Sequence, residues 1–288
     1  MSSTPPLGLL LDVDGPIASP VSRTIAIQSI SDDLVTLANA GVPIVFNTGR
    51  SDAFIRDQVV GQLIDGGLKD GARVLGVCEK GAVVFPITTA GVGDLYVDPT
   101  VALPASYATA IEKLVDEKYA DLMFFDHTKR AMVSVEQRTD VGSEEYLAAQ
   151  EKFNEDAFAL FSEHGIGGVW GEREVKDASG LSPYRIDPTI ISTDIESVRL
   201  GKDLGADRAL TELRNTGELP HVWRTVGDSR TDYAMADYLH DAGFEVVHVD
   251  VRPKDGVPDK AYQVRTFGDA IHDDAGALFL RHWAEQLG

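Results

Sequence analysis

The sequence holds a single cysteine, Cys78, so no disulfide can form within the chain. Cys78 sits in the apolar stretch Val74 to Val84 and reads as a buried small hydrophobe rather than a reactive thiol. Basic residues are scarce as well: 26 Lys plus Arg stand against 46 Asp plus Glu, a formal charge of −20. A field of that sign repels nucleic acid and anionic lipid, either of which would need a basic patch that the sequence does not show. Any anionic substrate must therefore meet local positive charge. Long apolar runs are missing too. Met1 to Gly8 carries no Lys or Arg, and the run Leu9 to Leu11 is broken at once by Asp12, which reads as neither a signal peptide nor a spanning helix. There is no Gly-x-Gly-x-x-Gly, Walker loop, Gly-x-Ser-x-Gly or zinc-type His and Cys spacing. These absences fit a cytoplasmic protein with no nucleic-acid or membrane partner, and they leave the oligomeric state unknown.

What is present suits a globular protein. With 43% hydrophobic and 25% charged residues over 288 positions, the chain can bury a sizeable core. At roughly 150 residues per domain it holds about two domains. Leu7 to Val13 is a short continuous apolar run, the pattern of a parallel strand buried on both faces. Val42 to Phe46 is a second. Between them Ser31 to Ala40 carries Leu34, Leu37 and Ala38 at helical spacing, with Gly41 as terminator, which makes a βαβ unit. A helix-like Asp52 to Ile64 and an apolar Ala72 to Cys78 continue the alternation. The middle differs: helix Ser106 to Tyr119, strands Leu122 to Phe125 and Ala131 to Glu136, helix Ser143 to His164, then strands Gly168 to Val175 and Tyr184 to Ile191. The last third predicts helix Asp194 to Asn215 opened by a Thr193 and Glu196 capping box, strand Val222 to Val226, helix Thr231 to Asp241, strand Glu245 to Val249 and helix Asp269 to Leu287. The fold class expected is α/β: a Rossmann-like parallel-sheet core domain of residues 1–87 and 190–288, with an inserted α+β domain at residues 88–189. Pro86 to Gly93 and Leu181 to Thr193, both rich in turn formers, are the expected linkers.

Four places carry chemistry. Asp12 and Asp14 stand at the carboxyl end of the first buried strand, where ligands of open α/β sheets bind, and there one carboxylate can attack while the other handles a proton. Capping of a loop by both acids is the plain alternative. The second strand ends in Asn47-Thr48-Gly49-Arg50, whose Thr48 hydroxyl and backbone amides make an anion site, with Gly49 allowing close approach; an ordinary helix cap is again the alternative. The strand Val222 to Val226 ends in Gly227-Asp228-Ser229-Arg230-Thr231-Asp232, hard oxygen ligands suited to Mg2+, with Asp232 equally able to cap a helix. Lys202 is the leading cation to offset substrate charge, with Arg199 and Arg208 as rivals.

Taken in order, Leu9-Leu10-Leu11-Asp12-Val13-Asp14-Gly15, Asn47-Thr48-Gly49-Arg50, Lys202 and Val226-Gly227-Asp228-Ser229-Arg230-Thr231-Asp232 resemble the motifs of the haloacid dehalogenase superfamily of phosphotransferases. The insertion ahead of Lys202, preceded by Glu79-Lys80-Gly81-Ala82, resembles the subclass with an α/β cap, which includes sugar phosphatases. The resemblance implies Asp12 as nucleophile and Asp14 as general acid and base, with Thr48, Gly49 and Lys202 holding the phosphoryl group. It further implies a Mg2+ ion held by Asp12, Asp14 through its backbone carbonyl, Asp228 and Asp232. Crowding by Asp12 and Asp228 is expected to raise the pKa of Asp14. Substrate contacts are expected from Arg50 and from the cap residues Lys129, Arg130 and Arg185. Pro16 and Lys80 depart from the usual Thr and Asn, and the segment after Lys202 is longer than usual. The function implied is a Mg2+-dependent phosphomonoester hydrolase acting on a small phosphorylated metabolite, a sugar phosphate, through an aspartyl phosphate. A phosphomutase of the same superfamily and a non-catalytic phospho-accepting module are the alternatives.

Overall fold

The computed structural model of the protein describes residues 5–287. The chain divides into two compact units, one running up to Tyr96 and resuming at Gly201, the other spanning Val97–Leu200.

In the first unit the order is β1 (Gly8–Leu11), α1 (Gln28–Asn39), β2 (Ile44–Asn47), α2 (Asp52–Ile55), α3 (Gly61–Asp65), β3 (Val74–Cys78), β4 (Val83–Thr88), β5 (Gly91–Val92) and β6 (Tyr96–Val97), where the chain passes into the second unit. A π turn at Arg56–Val60 joins α2 to α3. The second unit holds α4 (Ala105–Lys118), β7 (Met123–Phe125), β8 (Val133–Gln137), α5 (Ser143–Glu163), β9 (Gly168–Trp170), β10 (Arg173–Val175), β11 (Tyr184–Pro188) and β12 (Ser192–Ser197). The first unit then resumes with α6 (Lys202–Thr216), β13 (Val222–Gly227), α7 (Tyr233–Asp241), β14 (Glu245–Asp250), β15 (Gln263–Arg265) and α8 (His272–Leu287).

The sheet of the first unit runs β15-β14-β13-β1-β2-β3-β4-β5, parallel from β15 to β3 and antiparallel at β4 and β5. Leu9, Leu10 and Leu11 are all buried, as a strand covered on both faces requires. One face packs Leu10, Val45, Leu75 and Val77 against Ala209, Leu210 and Leu213 of α6 and Met235, Ala236 and Leu239 of α7. Each Val, Leu or Met side chain of this set contributes roughly 1.5–3 kcal/mol on burial. The strand order reverses at β1: β2 and β3 lie to one side, β13 and β14 to the other. That reversal opens a crevice at the carboxyl ends of the strands.

The second unit has its own six-stranded sheet, β10-β9-β11-β12-β8-β7, antiparallel except for β11 beside β9. Its core gathers Tyr107, Ile111, Tyr146, Phe153 and Phe161 from α4 and α5 with Val133, Val135, Ile186 and Ile195 from the sheet.

Two sequence expectations are corrected here. The helix expected from Asp194 is instead β12 followed, after Gly201, by α6 from Lys202. Thr193 and Ile195 alternate inward as strand residues do, and Thr193 donates its hydroxyl to Asn154 at 2.8 Å instead of capping a helix. The seams between the units also lie later than the turn-rich stretches, because Pro86 pairs with Leu75 inside β4 and the stretch from Leu181 supplies β11.

Candidate active site

Parallel pairing sets where the loops leave the sheet. Leu11 is registered against Phe46 on one side and Val226 on the other, so the chain leaves β1, β2 and β13 at adjacent points. Asp12 donates its N–H to Val226 O at 2.9 Å, and Thr48 donates to Val77 O at 2.9 Å. Asp12, Thr48 and Asp228 are thereby brought to one edge, as their place after three strands led one to expect.

Glycines let the loops close. Gly15 has φ +92°, and a Cβ there would lie 2.7 Å from Asp228 Oδ2. Any side chain would expel the Asp228 carboxylate. A Cβ on Gly205 would run into Asn47 Oδ1, and Asn47 donates its amide to Lys202 O at 2.9 Å. This brings the amino end of α6 onto the end of β2 and delivers Lys202 to Asp12. Lys202 Nζ lies 2.5 Å from Asp12 Oδ1 and 2.8 Å from Asp232 Oδ1, and it donates to Asn47 O at 2.6 Å. Arg199 instead donates to Thr100 at 3.2 Å, and Lys202 is the cation of the three that faces Asp12.

Asp232 is a loop organiser. Its Oδ2 accepts from the N–H of Asp228 at 3.1 Å, the N–H of Ser229 at 2.9 Å and the Ser229 hydroxyl at 2.7 Å, a capping box over the turn Arg230–Asp232. With Oδ1 facing Lys202, both oxygens are engaged by the protein.

Burial pushes the Asp12 carboxyl up, against the pull of Lys202 and with the help of Asp232 and Asp14. Burial alone would lower Lys202, but Asp12 and Asp232 outweigh it and hold the ammonium above the usual lysine range. Burial likewise opposes ionisation of Asp232, yet Lys202 and the Ser229 donors keep it low. Asp228 is raised by burial and by Asp232, with Arg252 and His272 pulling the other way. The charge pattern is one buried ammonium shared by two carboxylates, with a third carboxylate beside them.

Asp14, close enough to Asp12 to act on its carboxyl, has a partner of opposite sign. Arg50 grips it with a fork, Nε to Oδ2 at 2.9 Å and Nη2 to Oδ1 at 2.8 Å, while its guanidinium covers the Phe54 ring at 4.9 Å. Thr48 Oγ1 accepts from the Arg50 N–H at 3.1 Å. The nearest atom to a Cβ on Gly49 would be Lys80 Cε at 3.6 Å, ordinary contact, so the protein itself does not require glycine there. Glu79 and Lys80 both take positive φ, 50° and 55°. This strained turn donates Glu79 N–H to Arg50 O and Lys80 N–H to Thr48 O, and Lys80 O accepts from Gly201 N–H, each at 3.0 Å. Glu79-Lys80-Gly81 thus ties the loop after β2 to the start of α6, a role the sequence did not display.

One residue near the acids carried no sequence signal. His272, the first residue of α8, places Nδ1 3.8 Å from Asp228 Oδ2. In the second unit Arg185 is engaged by Glu196, 2.6 Å from Nη2, and by Leu200 O at 2.9 Å. Lys129 and Arg130 line a cavity of about 240 Å³ in that unit together with Thr109, Glu112 and Phe125.

One oxygen each from Asp12, Asp228 and Asp232 lie within 4.8 Å of one another. Hard carboxylate oxygens at that spacing, with the room that Gly15 leaves at Asp228, fit a small divalent cation such as Mg2+. Asp12, Asp228 and Asp232 are the side chains placed to hold it, Asp232 being also engaged by Lys202 and the Ser229 turn.

No family model and no curated protein sequence matches the chain. Solved structures do. The C-terminal domain of trehalose-6-phosphate phosphatase from C. albicans superposes with a TM-score of 0.62 at 13% identity, over 99% of this chain and 94% of that one. A haloacid dehalogenase-like hydrolase from Bacteroides thetaiotaomicron gives 0.61 at 11% identity, over 96% and 98%. Trehalose-6-phosphate phosphatase from Aspergillus fumigatus gives 0.54 at 14% identity, over 98% and 93%. The chain has the haloacid dehalogenase fold. Coverage of nearly the whole of both chains means that this haloacid dehalogenase fold includes the α+β insert between β6 and α6 as well as the parallel sheet. At these identities the likeness is one of backbone, and the chemistry rests on the side chains above. Among the described residues, no helix is long and apolar enough to cross a membrane.

Proposed function

We propose that the protein is a Mg2+-dependent phosphomonoester hydrolase acting on a small phosphorylated metabolite, a sugar phosphate, with Asp12 as nucleophile. The observation that carries this is Lys202 Nζ set between Asp12 and Asp232 with Asp228 alongside. A carboxylate attacking a phosphate ester brings like charges together, and a buried ammonium beside the attacking oxygen offsets that repulsion. Asp12 Oδ1 is held by Lys202, which leaves Oδ2 to form the bond to phosphorus as the ester oxygen departs. Asp14, from the same loop, gives the departing oxygen its proton and then takes a proton from the water that cleaves the aspartyl phosphate, releasing inorganic phosphate and restoring Asp12. The Thr48 hydroxyl and the amides after β2 bind the phosphoryl oxygens. Asp12, Asp228, Asp232 and the Asp14 backbone carbonyl would hold Mg2+, which supplies a further positive charge against the phosphoryl group when bound.

Arg50, which forks the Asp14 carboxyl, is the residue of the loop after β2 that we assign to substrate contact. Lys129 and Arg130 are the residues of the insert that we assign to selection among substrates. The trehalose-6-phosphate phosphatases among the neighbours make sugar phosphates the first class to test, and a cytoplasmic setting goes with this reading.

The test is a screen of sugar and polyol phosphates with and without Mg2+, following inorganic phosphate. Release is expected only with the metal, and Asp12→Asn is expected to lose roughly a thousandfold or more in kcat while keeping the circular dichroism spectrum of the folded protein. Full turnover in that variant overturns the assignment of Asp12. Isomerised product without free phosphate makes the protein a phosphomutase, and a stable phosphoprotein without turnover makes it a phospho-accepting module.

A further inference from the structure

We propose that His272 is a positioning residue that aims the Asp228 carboxylate at the metal, an inference resting on the Mg2+-dependent reading above. The imidazole Nδ1 is buried, makes no hydrogen bond, and stands 3.8 Å from Asp228 Oδ2. Its backbone is set there against local preference: φ is +52°, a region where His, Asn and Asp are found far more readily than other side chains. Two contacts over-determine that geometry. The His272 N–H donates to Val251 O at 2.8 Å, which pins the start of α8 to the end of β14. One turn further on, Gly276 lies so close to Pro16 that a Cβ would run into the Pro16 carbonyl. Thus α8 packs its first turns directly on the loop that carries Asp12 and Asp14.

The result is a slot for one carboxylate. Gly15 bounds Asp228 on one side, and the His272 ring faces it from another. A neutral imidazole with its proton on Nδ1 has one acceptor before it, and a swing of under about 1 Å brings the pair to hydrogen-bond length. Holding Oδ2 in this way turns Oδ1 toward the cation. An outer-shell donor of this kind typically accounts for about 10- to 100-fold in metal affinity.

The experiment is calorimetric titration of the full chain with MgCl2, without substrate, on five proteins: wild type, His272→Gly, His272→Asn, Asp228→Asn and the Asp228→Asn, His272→Gly double variant. Glycine removes the ring and accepts the positive φ, so the backbone is spared. The Asn amide nitrogen stands near where Nδ1 stood and also tolerates that φ. His272→Gly is expected to weaken Mg2+ binding by about 10- to 100-fold, His272→Asn to recover most of the loss, and His272→Gly to add nothing once Asp228 is Asn. Melting midpoints in EDTA are expected to agree among wild type and the two single His272 variants. Wild-type affinity in His272→Gly, failure of Asn to rescue, or a midpoint in EDTA that falls with the affinity would each overturn the proposal. Absence of Mg2+ binding by the wild-type protein would instead overturn the metal-dependent reading on which it stands.

Discussion

A lysine as the first residue of a helix sits against the positive end of the helix dipole, at a cost of about 0.3–1 kcal/mol, and a buried ammonium costs several more. Lys202 of α6 accepts both because Asp12 and Asp232 face it from two sides. Removing either partner would leave a buried charge uncompensated, so the three residues stand or fall together. The sequence displayed these residue types and their order, and it favoured Lys202 over Arg199 and Arg208, but not the partners. Asp14 is the clearest case: its neighbour in space is Arg50, from the end of another strand, and no spacing along the chain reveals a bidentate pair across two strand ends. That pair is part exposed, 25% and 38%, so it adds at most about 1 kcal/mol to stability. Its worth lies in geometry. Arg50→Lys keeps the charge and loses the fork. We expect kcat/KM to fall about tenfold, equivalent to about 1.4 kcal/mol of transition-state stabilisation, while the melting midpoint stays within a few degrees. A midpoint that collapses, or activity that is untouched, would remove Arg50 from the site.

Among the elements, the buried parallel strands were the most legible, since a continuous apolar run ending in Asp or Asn has few other readings. The element misread was β12. Helix-forming residues flank it, and the pairing that makes Thr193 and Ile195 strand residues comes from β11, just before it, and from β8, which lies far away in sequence. The edge strands β5, β6 and β15 were missed because two or three residues carry no periodicity. The β13 and β14 pair carries a titratable group that the apolar pattern concealed. His248 is opposite Thr225, fully buried, with Nδ1 2.8 Å from Thr225 Oγ1 and its ring 4.2 Å from that of Tyr233. Burial pushes it down from 6.5 to about 4, although Asp232, Asp250 and Asp237 pull the other way. Between those two values the unfolded chain binds the proton and the folded one does not. The contribution is therefore complete above pH 6.5 and is lost as pH falls toward about 4, a loss of roughly 3 kcal/mol. Asp12 and Asp228, raised by burial, work in the opposite sense without metal, so the comparison must be differential. Urea unfolding of wild type and His248→Asn across this range is expected to show the wild type losing stability more steeply toward low pH. Parallel curves would mean that His248 is protonated in the folded protein.

At the scale of the whole molecule, an insertion of this size within a parallel-sheet unit raises the question of what holds it together. Every strand of the six-stranded sheet, and both helices that cover it, come from Val97–Leu200. Its core is aromatic: Tyr107 stacks on Phe161 with ring centroids 5.0 Å apart, and Phe153 meets Tyr119 edge-on at 5.6 Å. Tyr107 also donates its hydroxyl to Ala157 O at 2.9 Å, so the ring is anchored at both ends. The two ends of the segment are tied to each other as well, Arg199 donating to Thr100 and the Tyr184 hydroxyl to Ala102 O at 3.0 Å. A closed core, a complete sheet and joined ends are the conditions under which a domain folds alone. Residues 97–200 produced alone are therefore expected to give a cooperative urea transition with near-ultraviolet circular dichroism from the packed aromatics. Phe161→Ala, which empties the space between Tyr107 and Phe158, is expected to cost about 3–5 kcal/mol within that same fragment. If the fragment melts without a sigmoidal transition, or Phe161→Ala leaves its midpoint unmoved, then the insert draws its stability from the chain around it, and the aromatic core is not sufficient to fold it.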